Sequence, residues 1–367
     1  MMTMKELLKK LIEAKASDLH IMSGLRPALR IDGELRPMSE YPELSPETAK
    51  ELIYSLLTED QKRSFENDPE HRYELDFGYG IPGLGRFRIN IHKQRGTIAG
   101  AFRALATTIP KLEELGLPES VGQFISAKKG LVLVTGPTGC GKSTTLAAMI
   151  DRINDTRSDH IITIEDPIEY LYSSRKSYIT QREVGYAADT LSFKHALKYT
   201  LRQDPDVILV GEMRDRETVD ISLSSAETGH LVLGTLHTTN AVQTVERIVD
   251  FFPPDQHPQI RSLLASNLLG VISQVLLPRI DQPGRCVASE VLIANFAIKN
   301  NIRNGKVEAM YQTLQTSAAE GMQTMDQSLL KLCKERKIDY DTARPYIYDK
   351  ASHEAMKVYS RPGARRV

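Results

Sequence analysis

The sequence predicts an α/β protein, with a larger domain of alternating strands and helices preceded by a smaller α+β domain. The chain has 367 residues, beyond the usual span of one domain, so two domains are the default. Past about residue 118, short apolar runs alternate with helical patterns, as in a parallel sheet crossed by helices. One such run, Leu131-Val-Leu-Val-Thr135, feeds directly into Gly136-Pro137-Thr138-Gly139-Cys140-Gly141-Lys142-Ser143-Thr144. A helix-compatible segment follows, giving the strand–loop–helix context of a phosphate-binding P-loop.

The first domain is read over residues 1–105. Leu7, Leu8, Leu11 and Ile12 form a helical stripe. Ser17 to Ile21 is strand-like, and its His20 fits a packed position better than a ligand position. Ala28 to Leu35 reads as a hairpin turning at Asp32-Gly33. Ser45-Pro46 opens a helix, with Ser as N-cap and Pro in the first turn. A second helix covers Glu59 to Glu66. Strands are expected at 73–79, 85–92 and 96–105. In the middle one, Phe87, Ile89 and Ile91 share one face while Arg86, Arg88, Asn90 and His92 share the other. Arg103 and Arg95 add to the cationic side. Charge runs are commonly a solvated sheet face; the alternative is a surface that faces an anion.

A linker is expected at 106–118, punctuated by Pro110 and Pro118. The second domain is read over 119–350. Its apolar strands end in chemically useful residues: the P-loop after Thr135, Glu165 to Glu169 after Ile161–Ile164, Gly211-Glu212 after Val207–Val210, and His237 after Leu231–Thr235. Ligands of open parallel sheets bind at the carboxyl ends of strands, so these residues are expected along one edge. Asp206 and His230 fall at the opposite end and are read as structural. From 254 onward the pattern is helical, including the run Pro254 to Leu277, with one edge strand at 287–293. The tail, 351–367, is expected to be disordered.

The P-loop predicts its chemistry directly. Its glycines reach backbone conformations closed to other residues. Successive N–H groups then converge on phosphate at a helix N-terminus. Lys142 is placed to reach the β and γ phosphates of a nucleoside triphosphate, and the Ser143 hydroxyl to ligate Mg2+. Cys140 reads as a small filler.

Composition excludes other classes. Basic and acidic residues balance at 47 each, against the basic domain typical of nucleic-acid binders. The three cysteines, Cys140, Cys286 and Cys333, are too scattered for a zinc site or disulfide framework. The N-terminus lacks the apolar core of a signal peptide, and Leu268 to Leu277 is too short to span a bilayer. A cytoplasmic protein that meets a membrane only through partners is expected.

Four boxes resemble the secretion-ATPase superfamily, which drives type II/IV secretion and type IV pili. They are the P-loop, Ile164-Glu-Asp-Pro-Ile-Glu169, Val207-Ile-Leu-Val-Gly-Glu-Met-Arg-Asp215 and Thr228-Gly-His-Leu-Val-Leu-Gly-Thr-Leu-His237. Ala16-Ser-Asp-Leu-His20 and Gly321-Met-Gln-Thr-Met-Asp326 extend the likeness over roughly residues 5–335. Lack of a large extra N-terminal domain and of a four-cysteine insertion favours the pilus retraction ATPase family within it. The resemblance implies a RecA-like ATPase domain, a PAS-like N-terminal domain and a homohexamer with active sites between subunits. It implies an inner-membrane pilus platform protein and related motor ATPases as partners, no nucleic acid, and a peripheral position at the pilus base. It assigns Glu169 as the base that orients water, with Glu165 as runner-up, Glu212 to the Mg2+ side, and His237 as a γ-phosphate sensor. Arg88 and Arg103, with Arg95 as a third candidate, would reach ATP across the subunit interface. One segment departs from the retraction pattern: Ala297-Ile-Lys299-Asn-Asn301-Ile-Arg303-Asn304 has Lys, Asn and Asn in place of Arg, Leu and Glu. Assembly or secretion motors, and an ATP-binding accessory paralogue, therefore remain as alternatives.

Overall fold

A computed structural model describes residues 2–68, 73–105, 108–185 and 188–360. Contacts divide the chain into two compact units. The first is Met1–Thr108 with Ile164–Leu171 and Gln181–Ala196; the second is Ile109–Thr163, Tyr172–Thr180 and Leu197–Val367.

The first unit begins with α1 (Met4–Glu13), whose Thr3 and Glu6 form a reciprocal capping box. Strands β1 (Asp18–Ile21), β2 (Ala28–Ile31) and β3 (Glu34–Pro37) follow, then α2 (Pro46–Tyr54) and α3 (Glu59–Asn67), then β4 (Glu74–Ile81), β5 (Gly85–Gln94) and β6 (Thr97–Ala104). The six strands form one sheet in the order β3-β2-β1-β6-β5-β4. The β2–β3 turn carries Asp32 and Gly33 at φ 51° and 87°, the paired positive values that make Asp-Gly a hairpin signal. Ser45 and Thr58 cap α2 and α3 by accepting from Thr48 and Gln61 backbone N–H groups, each cap stabilising its helix by about 1 kcal/mol. Alternation along β5 buries Phe87, Ile89 and Ile91 completely, in one core with Leu19, Phe102 and the α1 stripe. The opposite face carries Arg86, Arg88 and Arg103.

The second unit holds β7 (Gly130–Thr135), β10 (Val207–Val210), β11 (Leu231–Leu236), β12 (Leu268–Pro278) and β13 (Arg285–Ile293); β8 (His160–Glu165) and β9 (Tyr178–Glu183) complete a seven-stranded sheet in the order β13-β12-β7-β11-β10-β8-β9. Neighbours β12–β7, β7–β11 and β11–β10 are parallel, and the edge pair β12–β13 is antiparallel. The helices in chain order are α4 (Gly122–Ser126), α5 (Lys142–Thr156), α6 (Phe193–Thr200), α7 (Arg216–Glu227), α8 (Ala241–Asp250), α9 (His257–Asn267), α10 (Phe296–Arg303), α11 (Val307–Thr316), α12 (Met325–Lys334), α13 (Tyr340–Ala343) and α14 (Lys350–Met356). Parallel strands buried on both faces read as continuous apolar runs, and every residue of β7 and β11 is buried. No helix among the described residues is long and apolar enough to cross a membrane.

Three expectations are corrected. The run 254–277 is not helical throughout: α9 stops at Asn267 and Leu268–Pro278 is β12. Val271, Ile272 and Val275 are β-branched and fill a strand paired on both sides, a case that periodicity cannot separate from a buried helix. The tail is not disordered from 351. Asp349 caps α14, and Met356 is fully buried with Leu329, Leu332 and Ile338; residues 361–367 lie outside the described residues, as do 106–107 of the expected linker. The expected continuous 119–350 domain is interrupted, since the acidic segment Ile164–Leu171 belongs with the first unit. Its Ile168 backbone and Gly78 are bonded to Glu183, which pairs with Arg86 of β5.

Glu290, on β13, is 1% exposed. Its carboxylate accepts from the first N–H groups of two helices, Ala241 of α8 at 2.8 Å and Met325 of α12 at 3.5 Å. Burial pushes its pKa up to about 7; the two backbone bonds oppose this and the nearby Asp326 charge adds to it. A carboxyl with a raised native pKa stabilises the fold fully below its ordinary value of 4.5, and that contribution is lost as pH rises through about 7. Melting temperatures of the wild type and Glu290→Gln, followed from about pH 5 to about pH 8, should shift steadily in the variant's favour. A difference independent of pH contradicts the buried-proton account.

Candidate active site

The P-loop is built as its sequence requires. Gly136 sits at φ 136°, and a Cβ there would fall 2.2 Å from the Gln274 carbonyl oxygen, so only glycine fits. Gly141, at φ 92°, stands in the left-handed region immediately before α5, which carries Lys142, Ser143 and Thr144 in its first turn. Lys142 Nζ donates to the carbonyls of Gly136 at 2.8 Å and Pro137 at 3.1 Å, so the ammonium lies over the loop it serves. Pro137, Thr138 and Gly139 are exposed at the tip, whereas Cys140 is buried.

A brace behind the loop is absent from the sequence reading. Gln274 of β12 donates Nε2 to the Cys140 carbonyl at 2.8 Å and accepts from Thr145 Oγ1 at 2.9 Å. Next to it, Thr135 and Ser273 hydroxyls meet at 2.7 Å. Buried amides must be paired to be tolerated, so Gln274 fixes both the loop and the start of α5. The available signal was a polar pair, Ser273-Gln274, inside an otherwise apolar run.

Glu212 and His237 follow β10 and β11, which are parallel neighbours. The structure brings them together, with His237 Nε2 3.0 Å from Glu212 Oε1. Arg214 forms a two-pronged ion pair with the same carboxylate, at 2.5 and 2.6 Å. Partial burial pushes the Glu212 carboxyl up, but the Arg214 hydrogen bond and charge, helped by His237, outweigh this and hold it below the usual carboxylate value. Glu212 is therefore ionised at neutral pH. Among the described residues there is no group of three or more His, Cys, Asp or Glu side chains fit to hold a metal. Ser143 with one carboxylate suits Mg2+, which keeps waters and takes phosphate oxygens in place of a full protein cage. A cavity of about 270 Å³ opens between Glu212, His237, Thr238 and Arg247. His230 and Asp206 lie at the far strand ends, where His230 Nδ1 is 2.9 Å from the Ser225 carbonyl and Asp206 accepts from His160 N–H.

The remaining candidates belong to the first unit. Arg88 and Arg103 are cross-strand partners on β5 and β6, side by side on the outer face. Arg88 is held by Asp76 at 2.6 Å and Arg103 by Asp18 at 2.9 Å. The Asp76 hydrogen bond raises the Arg88 pKa, opposed by desolvation and supported by charges on Asp76, Glu169 and Asp166. Arg88 thus shares an electrostatic neighbourhood with the acidic segment. Arg95 is apart from them, in the turn after Gln94↔Thr97, the last register pair of the hairpin. Glu165 is buried and accepts from Gln181 Nε2 at 3.3 Å, whereas Glu169 is half-buried.

The departing segment forms α10. Asn301 donates to Thr313 Oγ1 of α11 at 3.3 Å, and Asn304 ends the helix with its amide on the Asn300 carbonyl at 2.8 Å. Asn301 thus makes a hydrogen bond to the neighbouring helix at the position where the retraction pattern has Leu.

Comparisons with known proteins agree with this architecture. Residues 101–347 match the family described as Type II/IV secretion system protein. The chain is 46% identical, over 94% of its length and 97% of the relative's, to "Type IV pilus retractation ATPase PilT" of Pseudomonas aeruginosa. It is 47% identical to "Twitching motility protein" of Neisseria gonorrhoeae, over 87% of its own length and 83% of that protein's. The crystal structure of the pilus retraction motor PilT with bound ADP superposes with a TM-score of 0.90 at 48% identity, covering 97% of this chain and all of that one.

Proposed function

Because the chain belongs to the type II/IV secretion system protein family, we propose that it is the ATP-hydrolysing motor that retracts type IV pili. The observation that carries this is the nearly end-to-end likeness to a pilus retraction ATPase, at 46% identity.

Hydrolysis requires charge neutralisation on the γ-phosphate and a positioned water. Lys142 and the loop Gly136 to Thr144, through the backbone N–H groups that all but Pro137 carry, are assigned to the phosphates. Ser143 directly, and Glu212 through water, are assigned to hold Mg2+, which supplies charge neutralisation to the transferring phosphoryl group when bound. Glu169 is assigned to orient the attacking water; its partial exposure favours it over the buried, Gln181-bonded Glu165. His237 is assigned to register the γ-phosphate through its contact with Glu212. Arg88 and Arg103 are assigned to a phosphate bound by the neighbouring subunit of a homohexamer. Their ion pairs to Asp76 and Asp18 leave the arginines 40% and 62% exposed. The Arg88–Asp76 pair, exposed on both sides, contributes at most about 1 kcal/mol, so exchanging that aspartate for a phosphate costs little; releasing Arg103 costs more, because Asp18 is 12% exposed. The motor would act in the cytoplasm on an inner-membrane platform protein, with no nucleic-acid substrate.

Deleting the gene tests the direction of work. Retraction predicts cells with excess pili and no twitching; cells without pili would identify an assembly motor. The altered α10 favours a second reading, an ATP-binding accessory of another motor. Failure of the purified wild-type ring to hydrolyse ATP faster than Lys142→Ala would favour it.

A further inference from the structure

Glu183 lies outside all four boxes, yet it is one of the few buried carboxylates among the described residues, its side chain 9% exposed. Its Oε1 accepts from the Gly78 N–H at 2.7 Å, and its Oε2 accepts from the Ile168 N–H at 3.2 Å and from Arg86 Nη2. Arg86, 17% exposed, also donates Nε to the Ile168 carbonyl at 3.3 Å. The ion pair therefore grips Ile168 by both of its backbone groups. The Ile168 N–H belongs to the peptide plane before the residue, and its carbonyl to the plane after it. Fixing both planes sets where the next residue begins, and that residue is Glu169. A second tie holds the other end of the segment, where Val184 N–H donates to the Glu165 carbonyl at 2.7 Å.

The surroundings are cut to fit this grip. A Cβ on Gly78 would lie 2.3 Å from Arg86 Nη2 and 2.5 Å from Glu183 Oε2, so any side chain there would displace the pair. The strand end that bears Glu183 is itself fixed, with its N–H on Asp189 Oδ2 at 2.8 Å and its carbonyl accepting from Thr190 N–H at 3.1 Å. A buried charge pair with every contact satisfied holds geometry far better than an exposed one. The contrast with Arg88 is direct, since its pair with Asp76 is exposed on both sides, 40% and 37%.

We propose that Glu183 and Arg86 are positioning residues for ATP hydrolysis, clamping the Ile168 backbone so that Glu169 is presented to the attacking water. The proposal rests on the assignment of Glu169 as the water-orienting group. Neither residue touches nucleotide in this scheme, so their loss acts on the chemical step alone.

The test compares ATP turnover of the intact ring in the wild type, Glu183→Gln, Glu169→Gln and the double variant. Gln keeps the shape of Glu183 but leaves Arg86 without its charge partner. Misplacing a catalytic group by about 1 Å costs about 10²-fold, so Glu183→Gln should lower kcat by about that factor with KM for ATP unchanged. Because it acts through Glu169, it should have no further effect in the Glu169→Gln background. Amide hydrogen exchange at Ile168 should quicken in Glu183→Gln while the P-loop amides stay as they were. Unchanged kcat, or a loss that multiplies fully with that of Glu169→Gln, overturns the proposal. Wild-type turnover in Glu169→Gln overturns the Glu169 assignment instead; the Ile168 amide then decides the clamp by itself, faster exchange upholding it and unchanged exchange refuting it. Arg86→Lys, which keeps the charge but loses the fork, gives the same comparison should Glu183→Gln fail to fold.

Discussion

Glu169→Gln should reduce the ATP turnover of the ring by roughly 10²–10⁴-fold while leaving nucleotide affinity and assembly intact. The magnitude follows from the role, since removal of a group that handles the attacking water takes away general-base assistance without altering the phosphate cradle. Glu165→Gln is the internal control. Glu165 is buried and engaged by Gln181 Nε2, so its loss should show first as lowered thermal stability and only weakly in kcat. Steady-state turnover paired with binding of a non-hydrolysable ATP analogue separates the two. Equal turnover in wild type and Glu169→Gln would remove Glu169 from the mechanism, and a larger kcat loss in Glu165→Gln would transfer the role to it.

Arg88→Ala and Arg103→Ala should each abolish most of the turnover. An arginine delivered to the γ-phosphate accelerates phosphoryl transfer by about 10³–10⁵-fold. Neither change should unfold the first unit. Both side chains lie on the outer face, away from the Phe87, Ile89 and Phe102 core; the Arg88–Asp76 pair is too exposed to add much stability, whereas Arg103→Ala also leaves Asp18, whose side chain is 12% exposed, without its charge partner, so some loss of stability goes with that variant. Asp76→Asn releases Arg88 without removing it, so it should leave turnover within a few-fold of the wild type by the same estimate. Turnover unchanged in both arginine variants, with rings intact, would end their assignment. Arg95, at the hairpin tip, should be dispensable.

What the sequence revealed and what it concealed divide along the range of the interactions. The P-loop, the Asp32-Gly33 hairpin and the Ser45 cap are set by residues within a few positions of one another, and each is legible as a pattern. The β5 alternation was equally plain, because a period of two fixes which side chains are buried. Gln274 was not legible, since it braces the Cys140 carbonyl from 134 residues away and sits in a run read as helical. Glu183 and Arg86 are 97 residues apart, and neither lies in a motif. Family likeness finds residues that touch the ligand more readily than those that hold them in place. The tail misled for a related reason: a few apolar residues among charges looked disordered, yet Met356 and Tyr359 join the α12–α13 cluster. The departure at α10 was visible, but its consequence was not, because Thr313 as the partner of Asn301 is apparent only once the helices are paired.

The central claim is that each hydrolytic site combines the P-loop of one subunit with Arg88 and Arg103 of the next. Mixing two inactive proteins tests it most directly. Lys142→Ala rings keep sound arginines, and Arg88→Ala rings keep sound P-loops. After dissociation and co-assembly, a site with both parts sound forms wherever an Arg88→Ala subunit supplies the P-loop and a Lys142→Ala neighbour supplies the arginine. Partial recovery of ATP turnover in the mixed rings is the predicted result. Mixed rings verified by mass that remain as inactive as either parent would contradict it, because a site built within a single subunit leaves every site of the mixture defective.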